Sequence, residues 1–198
     1  MEAFHVALIF WFAFSVLFFY WKKRKERLTY PLKTMVVLGS GGHTSEMLQL
    51  VKHIDLNAKY KPVVVVIAKE DKLSYRKLLN SDIKDKKVLY VSRSRKVGQS
   101  YLTSVFTTLV AFFEALYICL RERPKLLLCN GPGTCIPYCV ALRLTSFTAR
   151  QVFIESFCRT KTLSLSGRIA YFICDHVLVQ WPFLAKKYSK CVYKGLLV

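Results

Sequence analysis

From residue 34 onward, short blocks of apolar residues alternate with longer stretches in which apolar positions recur every three or four residues. Met35-Val36-Val37-Leu38, Val63 to Ile67, Val88 to Val91, Lys125 to Cys129, Val152 to Ile154 and Val177 to Val179 have strand length without internal alternation. That pattern belongs to strands buried on both faces. Between them, Glu46 to Val51, Cys135 to Leu144 and Leu165 to Ile173 carry helical spacing, and the more polar Asp71 to Leu79 is compatible with a helix. The succession predicts an α/β fold, a Rossmann-like parallel sheet with flanking helices. Tyr101 to Leu120 is apolar enough to pass for a membrane span, but Glu114 near its middle would cost on the order of 3 kcal/mol there. Basic residues flank it on both sides, so charge gives it no orientation. It reads as a long crossover helix whose surplus apolar face either lies on a bilayer or is buried in the core.

A different pattern precedes the domain. Residues 4–21 contain no Asp, Glu, Lys or Arg and run directly into Lys22-Lys23-Arg24-Lys25-Glu26-Arg27. A helix of that length rises about 27 Å, suited to a thin bilayer such as the endoplasmic reticulum. Because positive residues stay cytosolic, residues 4–21 are expected to form a single transmembrane anchor with a lumenal N-terminus. Residues 22–33 then form a basic juxtamembrane linker, and 34–198 a cytosolic domain. A cleaved signal peptide would need basic residues ahead of the apolar run and a small-residue site behind it, where bulky Tyr20-Trp21 stands instead.

The formal net charge of +19, from 31 basic and 12 acidic residues, calls for an anionic partner. No nucleic-acid-binding signature accompanies it, so a lipid surface or a phosphorylated ligand is expected and nucleic acid is not. The seven cysteines are odd in number and contain no C-x-x-C pair. Several sit inside apolar blocks, which fits reduced core cysteines rather than a disulfide framework or a metal site.

Two glycine loops carry the candidate chemistry. Gly39-Ser40-Gly41-Gly42-His43-Thr44 follows the first strand and opens a helix, so bare backbone N–H groups and the positive helix end can face a phosphate. It lacks the lysine of a Walker loop, and Thr44 stands where a dinucleotide fingerprint needs its third glycine. Asn130-Gly131-Pro132-Gly133-Thr134 occupies the same place after a later strand. In an open α/β sheet both loops reach the carboxyl-end crevice, where one diphosphate can meet two sets of donors. Glu155, Ser156 and Arg159 follow the next strand and are expected at that rim, to order a sugar or pair a phosphate. His43 is a candidate general base whose pKa the helix N-terminus should depress, or else a phosphate or sugar contact, or a residue that only shapes the loop. Glu155 is the second candidate base. The apolar tail Gly195-Leu196-Leu197-Val198 is expected to dock as a partner-facing or sheet-edge strand, or to be a simple last strand.

The ordered set of an apolar N-terminal anchor, Gly-Ser-Gly-Gly-His-Thr, Asn-Gly-Pro-Gly-Thr-Cys-Ile-Pro, Ile-Glu-Ser-Phe-Cys-Arg and Gln-Trp-Pro resembles one family across residues 4–198. This is the asparagine-linked glycosylation protein 14 family, membrane-anchoring subunits of the two-subunit UDP-N-acetylglucosamine transferase of dolichol-linked oligosaccharide synthesis. The two loops are more distantly similar to the N-terminal half of the bacterial glycosyltransferase that builds lipid II. The resemblance implies the N-terminal, acceptor-binding half of a split GT-B glycosyltransferase, inactive alone. A soluble partner would supply the UDP-sugar half of the heterodimer. Together they would add the second N-acetylglucosamine to N-acetylglucosaminyl-diphosphodolichol on the cytosolic face of the endoplasmic reticulum, by inversion, with no metal and no cofactor. Carried over, Gly39, Gly41, Gly42, Thr44, Gly131, Gly133 and Thr134 would line the acceptor diphosphate, with Ser40, Asn130 and Arg159 beside them. Two other readings remain at this point. One is a membrane-anchored nucleotide-dependent oxidoreductase, weakened because Lys69 precedes the acids Glu70 and Asp71 after the second strand. The other is a scaffold that only recruits a competent soluble enzyme.

Overall fold

A computed structural model describes residues 29–95 and 98–197; the anchor expected at 4–21, most of the 22–33 linker and Val198 lie outside them. Seven strands form one sheet: β1 Thr34–Val37, β2 Val63–Ala68, β3 Lys86–Val91, β4 Leu126–Asn130, β5 Arg150–Ile154, β6 His176–Val179 and β7 Cys191–Tyr193. Their order is β3-β2-β1-β4-β5-β6-β7, and every neighbouring pair is parallel. Every residue of β1, β2 and β4 is buried, as unbroken apolar blocks require.

Six helices connect the strands: α1 Gly42–Val51, α2 Lys72–Leu79, α3 Tyr101–Glu122, α4 Cys135–Thr145, α5 Leu165–Ile173 and α6 Pro182–Lys187. Alternate residues of the strands feed two cores. Val36, Val65, Ile67 and Leu128 pack with Met47, Leu50 and Val51 of α1 and Leu78 of α2. On the other face Val37, Val66, Cys129 and Phe153 pack with Ala115, Ile118 and Cys119 of α3, Cys139 and Leu142 of α4, and Ala170 of α5. The chain winds outward from β1 to β3, returns through α3, and winds outward again from β4. The switch in direction therefore falls between β1 and β4, where a crevice opens beyond the strand ends.

Tyr101 to Leu120 proves to be the crossover helix, with Ala111, Ala115, Ile118 and Cys119 buried. The Glu114 carboxylate accepts from the Ser92 backbone N–H at 2.8 Å, and Glu122 takes Lys33 at 2.8 Å and Lys87 at 2.5 Å. Thr103–Glu122 is nonetheless long and apolar enough to cross a membrane, so by length and composition it is compatible with a membrane anchor. All seven cysteines are free and six are buried, Cys158 being exposed. Burial pushes the Cys119 thiol up to about 12, so it stays protonated.

At the C-terminal end two elements go beyond the sequence reading and one expectation is corrected. Helix α6 has only six residues and β7 only three, too short to show a period in sequence. Residues 194–197 do not continue as a strand: Gly195 turns the chain at φ 93°. The Leu197 N–H then donates to Gln180 Oε1 at 3.0 Å, its side chain packs against the core of Val36, Ile67 and Leu128, and Leu196 is left exposed.

Candidate active site

Because β1 and β4 are adjacent and in register, with Val37 beside Cys129, the loops that follow them leave the sheet side by side. They interlock. A Cβ on Gly39 would overlap the Pro132 ring and the His43 side chain. One on Gly131, whose φ is 73°, would overlap the His43 imidazole. Glycine is required at both positions by space, and at Gly131 also by backbone conformation. Helices α2, α3 and α5 are closed by the side chains of Asp71, Ser100 and Ser164. The helices that open from the two glycine loops, α1 and α4, have no side-chain cap. The first-turn N–H groups of α1 and the positive ends of both helices are left for an anion, while Cys135 and Ile136 at the start of α4 donate to the Pro132 and Gly133 carbonyls at 3.0 and 3.2 Å.

Between the loops lies a cleft of about 890 Å³. Ser40, Gly42 and His43 of the first loop line it, as do Gly131, Gly133 and Thr134 of the second, together with Glu155, Ser156 and Arg159. Arg93 and Arg95 add positive charge at its edge. The sequence-predicted residues Gly39, Gly41, Thr44 and Asn130 instead shape the loops from behind. Thr44 is fully buried, its hydroxyl bonded to the Gly39 carbonyl and to Ser74, so its side chain fixes the turn. The tail residues Gly195, Leu196 and Leu197 are not part of the lining.

His43 is oriented by a residue whose role the sequence pattern hid. Glu46, one helical turn along α1, places Oε2 at 3.5 Å from His43 Nδ1. Asn130 Nδ2 donates to that same oxygen at 3.0 Å, and the Ser156 hydroxyl donates to Oε1 at 2.9 Å. An ionised carboxylate only accepts, so the amide nitrogen of Asn130 must face Glu46, and its Oδ1, 2.9 Å from His43 Nδ1, must accept. In the neutral ring the proton therefore sits on Nδ1, leaving Nε2 with a free lone pair. The helix end was expected to depress the His43 pKa; instead it is raised from its ordinary 6.5. The hydrogen bond with Glu46 is the main cause, and it outweighs the opposing effect of burial, with the charges of Glu46 and Glu155 adding to it. Burial resists ionisation of Glu46, yet the bonds from His43, Asn130 and Ser156 hold its carboxyl below the ordinary 4.5. The signal available in the sequence was the three-residue spacing of His43 and Glu46.

Glu155 is fully buried and already engaged. Its Oε1 accepts from Ser156 N at 3.1 Å, and its Oε2 accepts from Ser164 N at 2.8 Å and Ser164 Oγ at 3.1 Å. A Cβ on Gly167 would overlap Oε2. The carboxylate thus clamps the N-terminus of α5 at the rim, while Arg159 remains exposed. The acids after β2 do not form a ribose site: Glu70 faces Arg93 at 3.6 Å, and Asp71 caps α2. Among the described residues, no group of three or more His, Cys, Asp or Glu side chains is arranged to hold a metal.

Residues 34–197 match the family described as "Oligosaccharide biosynthesis protein Alg14 like". The chain is 42% identical over 183 residues to the UDP-N-acetylglucosamine transferase subunit ALG14 of Mus musculus, a match covering 84% of this chain and 83% of that one. It is 43% identical over 175 residues to the subunit of the same name from Yarrowia lipolytica, with 84% and 81% covered. Among solved structures, MurG of Acinetobacter baumannii aligns with a TM-score of 0.61 at 17% identity, covering 82% of this chain and 45% of MurG. That likeness concerns the fold alone, and the aligned region is less than half of MurG. With the family match spanning almost the whole described domain and relatives above 40% identity, the chain belongs to the Alg14 family.

Proposed function

We propose that this chain is the acceptor-binding subunit of an inverting UDP-N-acetylglucosamine transferase that extends N-acetylglucosaminyl-diphosphodolichol by its second sugar. The observation that carries the proposal is the convergence of two helix N-termini without side-chain caps on one cleft, with the His43 imidazole held between their loops. The acceptor diphosphate binds at Gly42 and at Gly131, Gly133 and Thr134, with Arg159 at the rim. The hydroxyl on carbon four of the acceptor sugar attacks the anomeric carbon of the donor. His43 Nε2 takes the hydroxyl proton as the bond to the UDP oxygen breaks, and UDP leaves with the electron pair. Glu46 and Asn130 hold the ring in the tautomer that leaves Nε2 able to accept, and Glu155 supports the rim through α5.

The donor half comes from a soluble UDP-sugar-binding subunit, because one sheet domain is half of a GT-B enzyme. Residues 4–21 anchor the chain in the endoplasmic reticulum membrane with the N-terminus lumenal and the domain cytosolic. The exposed Leu196, beside Gly195, offers an apolar contact for that subunit, and the expected contribution of Val198 lies outside the described residues.

The test is reconstitution of the full chain with its soluble partner, a lipid-diphosphate N-acetylglucosamine acceptor and UDP-N-acetylglucosamine. The chain alone should transfer no sugar and the pair should. His43→Ala should recruit the partner normally and lower kcat by about a hundredfold or more. Recruitment and full rate at saturating acceptor would overturn the base role and favour a scaffold.

A further inference from the structure

Helix α3 carries two apolar faces where a helix on the surface of a soluble domain carries one. Ala111, Ala115, Ile118 and Cys119 face the sheet and α4. Phe106, Val110, Phe113, Tyr117 and Leu120, at steps of four, three, four and three residues, form a second stripe. They are 74, 60, 63, 62 and 54% exposed. The stripe is about 21 Å long at the helical rise. Helix α5, across α4 in the same layer, repeats the arrangement: Leu165, Ile169 and Phe172 share its outer face, and Phe172 is 82% exposed.

Charge identifies what covers these stripes. Helices α3, α4 and α5 together contain only two acidic residues, Glu114 and Glu122, and both are taken up by inward pairs with Ser92, Lys33 and Lys87. Exposed Arg121 and Arg123 border the stripe at one end and Arg168 rises from α5. Outward aromatic and aliphatic side chains with a purely cationic border are the chemistry of a surface that enters an anionic lipid interface. The position of the stripes gives them a purpose. Ser104 and Thr108 of α3, Ile136 of α4, and Leu165 and Ile169 of α5 form the outer wall of the cleft, so Leu165 and Ile169 belong to both.

We infer that the outer faces of α3 and α5 form a second membrane-contact surface, separate from the N-terminal anchor, which sets the mouth of the cleft at the level of the lipid headgroups. The polyprenyl chain of an acceptor then leaves the cleft between α3 and α5 without crossing water, and this part rests on the acceptor reading above.

The test uses the full chain in vesicles of phosphatidylcholine with a minority of phosphatidylserine, in a Cys158→Ser background. A fluorophore is attached at Phe113→Cys, at Phe172→Cys, or at Leu79→Cys on α2 as the control across the sheet. Lipids with nitroxides on their acyl chains should quench the first two positions about threefold more than the third. Equal quenching at all three overturns the inference. So does protection of 113 and 172 that appears only when the soluble subunit is added, since the stripe is then a protein interface. In the assembled enzyme, Phe113→Asp combined with Phe172→Asp should raise KM about tenfold for a long polyprenyl acceptor in membranes and leave KM for a short, water-soluble acceptor unchanged. Equal loss with both acceptors overturns the link to the cleft. If the wild-type pair transfers to neither acceptor, the acceptor reading fails while the quenching result stands by itself.

Discussion

Two glycines in one loop, two residues apart, should respond very unequally to the same added methyl group. Gly131 holds φ 73°, a conformation that costs an alanine about 1–2 kcal/mol. Its new Cβ would also overlap the His43 ring and force the imidazole away, which forfeits the 2.9 Å bond to Asn130, worth about 1 kcal/mol. Gly131→Ala should therefore destabilise the domain by about 2–3 kcal/mol. At about 2–4 °C per kcal/mol for a domain of this size, that is a drop of about 4–12 °C in Tm. In Gly133→Ala the methyl group would meet nothing within 4 Å, and its φ is not in the left-handed region. Its stability should change by less than about 0.5 kcal/mol. Thermal unfolding of the two variants checks the packing. Sugar transfer by each variant paired with the soluble subunit checks the chemistry, where a ring displaced by about 1 Å should cost Gly131→Ala on the order of a hundredfold in kcat. If both variants melt and turn over alike, the seat of His43 on Gly131 has been misread.

The other predictions concern the charges around that ring. A base must be neutral to act, so the raised pKa of His43 places the acid limb of the rate profile above pH 6.5. Glu46→Gln removes the main cause and should move that limb to lower pH; a limb that stays put or moves upward refutes the pairing. In stability the His43 contribution is complete below 6.5 and is lost as pH rises through its raised folded pKa. The Glu46 contribution is complete above 4.5 and is lost as pH falls through its lowered folded pKa. The gap between wild type and Glu46→Gln in denaturant titrations should therefore be widest between 4.5 and 6.5 and narrow on both sides. Glu155→Gln turns one accepting oxygen into a donor facing a backbone N–H of Ser156 or Ser164, so it should cost about 2 kcal/mol and lower Tm by several degrees. Unchanged Tm with collapsed kcat would make Glu155 the base and not the clamp.

The sheet was legible because its central strands are buried on both faces, and only a continuous apolar block satisfies that. Loss of period at the edge explains the errors in extent: β3 begins at Lys86 because Lys86 and Lys87 belong to a half-exposed edge strand and do not look apolar. The loops were legible as places and less so as side chains. Thr44 looked like a phosphate ligand from its position, but its hydroxyl satisfies the Gly39 carbonyl inside the turn. Glu46 looked like an ordinary polar residue on a helix. Its meaning depends on Asn130 and Ser156, 84 and 110 residues away, which only the folded sheet brings to the same carboxylate. The direction of the His43 shift was lost for the same reason, since the helix end is a local feature and the opposing carboxylate network is not.

The arrangement also resolves an apparent conflict, since two carboxylates stand beside a site suited to a diphosphate. Glu46 receives hydrogen bonds from Asn130 and Ser156 and faces the His43 ring; Glu155 receives two backbone N–H groups and a hydroxyl. Each negative charge is thus offset by its own donors, and neither takes up the N–H groups that open α1 and α4. Parallel winding supplies the rest. It puts every crossover helix N-terminus at the carboxyl end of the sheet, while side-chain caps close α2, α3 and α5 there. Only α1, α4 and the six-residue α6 are without a side-chain cap, and of these α1 and α4 flank the β1–β4 switch, where the imidazole also sits. Anion binding and proton transfer consequently share one structural cause, and a substitution that capped α1 or α4 with a carboxylate should weaken acceptor binding even if the His43 network were left intact.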